Sequence, residues 1–558
     1  MTIDENLARL SANRAACVQS FRNRGLNVAE SCRSDEFPEL IDRLPVAFYG
    51  NPNEHVDEFG IWHKPDDWDD IESVPIEEGK SEVYVLFANH VGNGHSFCRL
   101  RVYGSGTIQW ARGHSANGVF TPSTSYTSIS SGGFIRIDLE QLEDDYSVIH
   151  VKASNYLTSC YTVAWDGANE GFSVMHNTCL MRYGRMPRGT NVSFQSYYLE
   201  SDNILDFAKG ISGTALSLAN AYSSNRRMAR WRSEGWNIAD NYTTNLSAIF
   251  NGCLALGDTY SLNFDGWCSD RTTTCAHMFN SCNALFGAIS VKNWDVSAVT
   301  SFAYMFYACF SITNVIGLDA WNEARECTSV AYMFCNTRGL VCNIDLSSAA
   351  FGKSGKLTAA NSMFYMSGVT SVNLDTCDFS NVTSFASMFY VCPNICSVKI
   401  NAVGTSATTL SQMFYICYKL QSVEIGSLDL SGITSPITTE LQYFVSSCYS
   451  LKEFKVGRVI RGLTGKTFND TSTAYGYLFN SNYYLKKLDA SWIDASVFTS
   501  TYFHRYAFTS LPLLYDFNPP ANITKSFYIS DSPMLSHESL LRILNNLVDH
   551  TNDSGTFT

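Results

Sequence analysis

Charge is scarce in this 558-residue chain: Asp, Glu, Lys and Arg together make up 16% of it. The exposed surface therefore has to be built largely from Ser, Thr, Asn and Tyr, a chemistry suited to an extracellular setting. The basic cluster Arg226, Arg227, Arg230 and Arg232 is short, and the net charge is −13. Nucleic acid is thereby disfavoured as a partner, because neutralising phosphates needs a basic surface. No apolar run reaches the roughly 18 residues of a membrane helix, so no membrane insertion is expected. The opening Met1-Thr2-Ile3-Asp4-Glu5-Asn6 is polar and acidic, without the basic start and apolar core of an export signal.

Signatures of chemistry are missing too. There is no C-x-x-C pair, and Cys392-Pro393-Asn394-Ile395-Cys396 has the wrong spacing for a zinc knuckle, with no His in register. His537-Glu538-Ser539 lacks the second His of a metalloprotease helix. No nucleophile elbow, phosphate-cradling loop or dinucleotide fingerprint is found. The reading is therefore of a protein without catalytic residues, cofactor or metal. Two carboxylates acting on a glycan would leave no motif, and that reaction class stays open.

What is present is a repeat. Ser411-Gln412-Met413-Phe414-Tyr415-Ile416-Cys417-Tyr418-Lys419-Leu420-Gln421-Ser422-Val423-Glu424-Ile425 carries the skeleton Phe-x-x-Cys-x-x-Leu-x-x-Val-x-Ile. The aromatic marker recurs at positions 250, 279, 306, 334, 364, 389, 414, 444 and 479, at intervals of 25 to 35 residues. Weaker copies surround Tyr222 and Tyr198. A period in this range belongs to a solenoid. Each copy supplies a short strand whose apolar residues point inward, and one coil cannot bury its own edge, so coils must stack. The Cys position suits a small buried residue with a weak polar handle, so most of the 18 cysteines should be reduced core residues rather than ligands or disulfides.

With Asp-x-Ser-x-Val-Thr ahead of the next copy, as in Asp295-Val296-Ser297-Ala298-Val299-Thr300 and Asp378-Phe379-Ser380-Asn381-Val382-Thr383, the motif resembles the BspA-like leucine-rich repeat over about 190–558. That family includes bacterial surface adhesins and phage appendage proteins, so the resemblance implies fold more than function.

Taken in order, residues 3–24 and 37–44 read as helices, with Gly25 as a C-cap and Pro45 as a stop. Residues 1–45 also resemble the leader of phage tail-fibre proteins, which attaches or oligomerises the fibre; an ordinary helical hairpin is the other reading. Residues 46–188 lack the repeat. Alternation at 82–88, 97–103, 133–139 and 147–151 predicts a β-sandwich. The run Pro65-Asp66-Asp67-Trp68-Asp69-Asp70 could hold Ca²⁺ or be a solvated acidic loop; its spacing is not that of an EF-hand. Residues 189–558 form the solenoid, with insertions at 352–355 and 457–473, and Ser536 caps a closing helix. The fold class is thus multidomain: helical leader, β-sandwich, then leucine-rich-repeat solenoid with a C-terminal capping helix.

The exposed strand positions Ser371, Asn373, Ser397, Lys399, Gln421, Glu424, Lys452, Lys455, Lys487 and Asp489 should form one ladder suited to a macromolecular partner. The resemblance implies a phage tail fibre, head fibre or related appendage. It would be assembled in the host cytoplasm and exposed on the virion. Other virion proteins would hold the leader, a host surface protein or glycan would meet the solenoid, and the chain would form a homo-oligomer. A bacterial adhesin and a phage glycan depolymerase are the rival readings.

Overall fold

A computed structural model describes residues 69, 74, 81–88, 97–138, 146–162, 179–183, 190–191, 203–207, 216–220, 223–224, 231–232, 243–254, 256–257, 264–321, 323–466, 477–497, 506–524 and 528–548. The helices expected at 3–24 and 37–44, and with them the leader, lie outside these residues. So do the aromatic markers of the copies around Tyr222 and Tyr198.

The region before the repeat is rich in strands. They are β1 (Ser81–Ala88), β2 (Phe97–Ser105), β3 (Ile108–Ala116), β4 (Val119–Pro122), β5 (Thr127–Ile129), β6 (Gly133–Asp138), β7 (Tyr146–Ala153), β8 (Tyr156–Thr162) and β9 (Cys179–Tyr183). Four of them match the alternating segments read from the sequence; β3, β4, β5, β8 and β9 were not foreseen. One antiparallel sheet runs β9-β1-β7-β3-β4 with β5 beside β3, and a second runs β6-β2-β8. Period-two alternation sends Val83, Val85, Ile149 and Val151 of the first sheet and Leu100, Val102, Ile135 and Leu157 of the second into one core.

The first sheet does not stop at β9. Parallel to β9 lies β11 (Asn203–Phe207), and parallel to that β13 (Trp231–Arg232). A second parallel ladder starts at β10 (Thr190–Asn191) and passes through β12 (Leu216–Ser217) to β14 (Thr243–Asn245). It continues as single bridges through Thr274, Ser301, Ser329, Ala359 and Ser384 to Thr409. Parallel pairing thus reaches back to 179–183, ahead of residue 189.

Over residues 287–518 the chain is a β-solenoid. The other side of the coil carries β15 (Gly287–Ser290) and β16 (Ile312–Ile316), paired parallel. A seven-stranded parallel sheet follows: β17 (Asn343–Asp345), β18 (Ser371–Leu374), β19 (Ser397–Val403), β20 (Ser422–Asp429), β21 (Glu453–Arg461), β22 (Lys487–Asp489) and β23 (Asp516–Asn518). The insertion expected from Gly457 begins instead as β21, because the eight-residue β20 supplies partners as far as Asp429, opposite Arg461. Residues 467–473 of that insertion lie outside the described ones.

Each element of the repeat has a physical task. The marker rings of Phe250, Phe279, Phe306, Phe334, Phe364, Phe389 and Phe414 stack with centroids 5.3–5.8 Å apart. Burying one such ring contributes about 2 kcal/mol. Among the described residues the cysteines are free, and those of the repeat position, Cys253, Cys282, Cys309, Cys392, Cys417 and Cys448, are buried. Cys282, Cys309, Cys392, Cys417 and Cys448 each donate S–H to the carbonyl of the ring residue one coil earlier, at 2.8–3.1 Å. Where Cys is replaced, Asn482 takes over by donating to the carbonyls of Val445 and Phe479.

In Asp-x-Ser the aspartate accepts from the amide two residues on, as at Asp295 and Ser297 (3.0 Å) and Asp378 and Ser380 (2.9 Å), which makes the turn. The threonine that follows donates its hydroxyl to the carbonyl of the threonine one coil back, from Thr273 through Thr300, Thr328, Thr358, Thr383 and Thr408.

One marker was misplaced. The residue two after each ring has positive φ, at Ser281, Ala308, Asn336, Met366, Val391 and Ile416. In the next coil it is Ser447, so the rung equivalent of Phe414 is Val445, and Phe444 holds the place of Met413. The backbone agrees: Phe389 donates to the carbonyl of Met413, but Phe414 donates to that of Phe444. The Phe444 ring packs on Phe414 tilted at 58° rather than flat, and the flat stack resumes from Phe479 to Phe508.

The closing helix is His537–Asn546, and the Ser536 side chain accepts from the amide of Ser539 as its N-cap. Ser539 in turn donates to the carbonyl of Tyr515 and accepts from the amide of Phe517, so the helix seats on β23 at the end of the sheet.

Candidate functional site

The solvent side of the seven-stranded sheet is the surface the repeat builds without using it for packing. In each strand an apolar side chain points inward, as Val372, Val398, Val423, Leu488 and Phe517 do, and the intervening side chains are left outside. Parallel pairing without offset then converts equivalent positions into columns. One column reads Asn343, Ser371, Ser397, Ser422, Glu453, Lys487, Asp516. A second contains Asp345, Asn373, Lys399, Glu424 and Lys455, with Asp489 and Asn518 paired further on.

All ten residues expected on this face lie at its surface, half-buried or exposed. Their order needs one correction. Gln421 and Lys452 do not share the column of Ser371 and Ser397; Ser422 and Glu453 do. Gln421 and Lys452 form a third column one residue earlier. There the Lys452 amide donates to the Gln421 carbonyl and its Nζ to Gln421 Oε1 at 3.0 Å.

Two shallow grooves cross the face. One, of about 360 Å³, is lined by Ser371, Asn373, Ser397, Lys399, Glu424 and Lys455. The other, of about 620 Å³, is lined by Lys452, Lys455, Lys486, Lys487, Asp489 and Tyr515 among others. In the first, Lys399 pairs with Asp375 at 2.7 Å, which raises the lysine pKa. In the second, Asp516 is held by Arg542 at 2.7 Å and by Lys487 at 3.3 Å. The hydrogen bond from Arg542, and then that from Lys487, keeps the Asp516 carboxyl below its usual range.

Tyrosine supplies a feature the sequence reading passed over. His277, Tyr304 and Tyr332 stack across successive coils at 4.5–4.7 Å. Tyr365 and Tyr390 stack at 4.8 Å, and Tyr415, Tyr443, Tyr477 and Tyr506 continue at 4.5–5.3 Å. A separate exposed ladder joins Tyr418, Tyr449 and Tyr483 at 4.8 and 5.0 Å. The signal was available: tyrosine follows the marker ring at 365, 390 and 415.

A buried polar chain runs through the described part of the strand-rich region. His150 lies between Glu82 Oε2 at 2.8 Å on Nε2 and the Tyr126 hydroxyl at 2.7 Å on Nδ1, with Tyr84 stacked flat against it. Burial, and then the Glu82 charge, raise the Tyr126 pKa. Of the acidic run, Asp69 is described: it accepts from the Ser115 amide at 2.6 Å and contacts His114 at 3.1 Å. Among the described residues no group of three or more His, Cys, Asp or Glu could hold a metal ion, and no helix is long and apolar enough to cross a membrane.

Residues 217–347, 244–374 and 358–439 match a family described as Mycoplasma protein of unknown function, DUF285. The first two matches are offset by 27 residues at both ends, one coil of the solenoid, so the same pattern fits the chain in successive registers. No curated protein and no solved structure matches the chain.

Proposed function

We propose that this chain is a non-enzymatic binding protein of a phage particle: a tail fibre, head fibre or related appendage. Its N-terminal leader attaches to other virion proteins, and its solenoid meets the host surface. The observation that supports this reading is the sheet face from Asn343 to Asn518, where equivalent polar side chains repeat coil after coil with none of them needed for the core. A surface of that length suits a macromolecule better than a small substrate. The β-sandwich reading of the preceding region gives it the role of spacer or docking module, and the BspA-like character of the repeat is compatible with either a particle or a cell surface.

The bacterial-adhesin reading draws on the Mycoplasma origin in the description of the matching family. One experiment separates the two. Purified phage particles from lysates of cells carrying the gene are probed with antibody to residues 540–558 and with gold label on residues 1–45. The phage reading expects the chain in stoichiometric amounts on particles, with the label at 1–45 nearest the capsid or tail. Its absence from particles, with recovery in the cell envelope, would sink that reading.

A further inference from the structure

We infer that the groove over β21–β23, with the tyrosine ladder beside it, is a binding site for an acidic polysaccharide, one whose sugar rings carry carboxylates. This rests on the reading of the sheet face as a binding surface and names its ligand class. Lys452, Lys455, Lys486 and Lys487 line the groove together with Glu453, Asp489 and Asp516. Asp516 is already occupied by Arg542 and Lys487, and Asp489 accepts from Asn518 and Ser491. Lys455 and Lys486 have no ion pair among the described residues. With Arg542 counted beside the four lysines, five cations meet the three carboxylates Glu453, Asp489 and Asp516, so the local balance is cationic on a chain whose net charge is −13.

The second half of the argument is aromatic. Tyr418, Tyr449 and Tyr483 are exposed and stacked, and in two of these coils a groove lysine follows three residues later: Lys452 after Tyr449, Lys486 after Tyr483. Tyr484 is 54% exposed and Tyr515 40%, and the Lys487 ammonium lies 5.6 Å from the Tyr515 ring centroid. Rigid tyrosines offer amphipathic contact at low entropy cost, which suits the C–H faces and hydroxyl edges of sugars. Lys452 and Lys486, each one residue before the paired Glu453 and Lys487, hold equivalent positions on neighbouring coils, whose strands lie roughly 4.8 Å apart. A ligand that presents ring faces and regularly repeated anions satisfies both sets of residues; a neutral glycan uses only one.

The test uses the full-length chain. Polygalacturonate and neutral dextran are titrated into it by calorimetry at low and high NaCl. The variants are Lys455→Glu/Lys486→Glu and the conservative Lys455→Arg/Lys486→Arg. The expected result is binding of polygalacturonate but not dextran, weakened by salt, reduced at least tenfold by the Glu variant and retained by the Arg variant. Both positions are exposed, and unchanged circular dichroism checks the fold. Absence of polygalacturonate binding, equal binding of dextran, or indifference to charge reversal would each overturn the assignment. Loss of host-cell adhesion in the Glu variant without polygalacturonate binding would also overturn it, while leaving the binding face intact. Absence of the chain from virions would refute the particle reading and not this one.

Discussion

Cys417 donates its S–H to the carbonyl of Phe389, 28 positions earlier, at 2.8 Å, and so ties the small residue of one coil to the ring residue of the one before. Cys448 repeats the contact to Phe414 at the same distance. The cysteines are thereby spent on cohesion between coils.

Replacing Cys417 with alanine removes both the donor and buried volume, and should destabilise the solenoid by about 1–3 kcal/mol. Urea unfolding of the variant measures this. Burial pushes the thiols of Cys160, Cys327, Cys335 and Cys377 up to about 12, so they should not react with Ellman's reagent at pH 8 until denaturant is added. Rapid labelling at these four positions in the folded chain, read by peptide mapping, would contradict their burial.

Truncation of a stacked ring should cost more. Phe389 lies between Phe364 at 5.4 Å and Phe414 at 5.3 Å, fully buried. Phe389→Ala is expected to cost about 3–5 kcal/mol. A double-mutant cycle with Phe414→Ala should show coupling, since the two share a contact. Strict additivity would argue against the stack.

The tyrosine belt predicts an alkaline limit. Burial, with neighbouring phenols behind it, raises the pKa of Tyr304, Tyr365, Tyr415, Tyr443 and Tyr449 above the ordinary 10.0. The folded chain then holds these protons more tightly than the unfolded one. The contribution is complete below about pH 10 and is lost as pH rises through the folded values. Absorbance at 295 nm should show a group of tyrosines titrating late, and the melting temperature should fall in the same range.

In the strand-rich region, His150→Leu would strand the buried Glu82 carboxylate and the Tyr126 hydroxyl, both of which now meet the imidazole. A loss of about 1–3 kcal/mol is expected from leaving such groups unpaired. Thermal unfolding checks it, and Glu82→Gln in the same background should recover part of the loss.

At the far end, Ser536→Ala removes the acceptor for the Ser539 amide and should cost about 1 kcal/mol. Hydrogen exchange should quicken in the helix and in β23, where Ser539 is anchored, but hardly at all in β18. Uniform exchange across the sheet would show that the helix does not close the stack.

The repeat was legible because burial imposes it locally. Every coil must offer a ring, a small donor and alternating aliphatic residues, and Phe389, Cys392, Ile395, Val398 and Ile400 state that in one line of sequence. The helix cap at Ser536 was legible for the same reason: its acceptor and its amide are three residues apart. The place of Phe444 was legible too, since Phe-x-x-Cys counted back from Cys448 lands on Val445, but the ring at 444 was the more conspicuous residue. The column order on the sheet face was not, since Gln421 and Ser422 differ by a single residue and either could face solvent.

Sequence by itself determined that coils form and which side of each is dry, since period and polarity act within about 28 residues. Tertiary structure alone decided which side chains meet across coils. Tyr418, Tyr449 and Tyr483 become one ladder, and Lys452 and Lys487 one groove, only because parallel strands stack in register. Hydrogen bonds between coils, not anything within a coil, set that register.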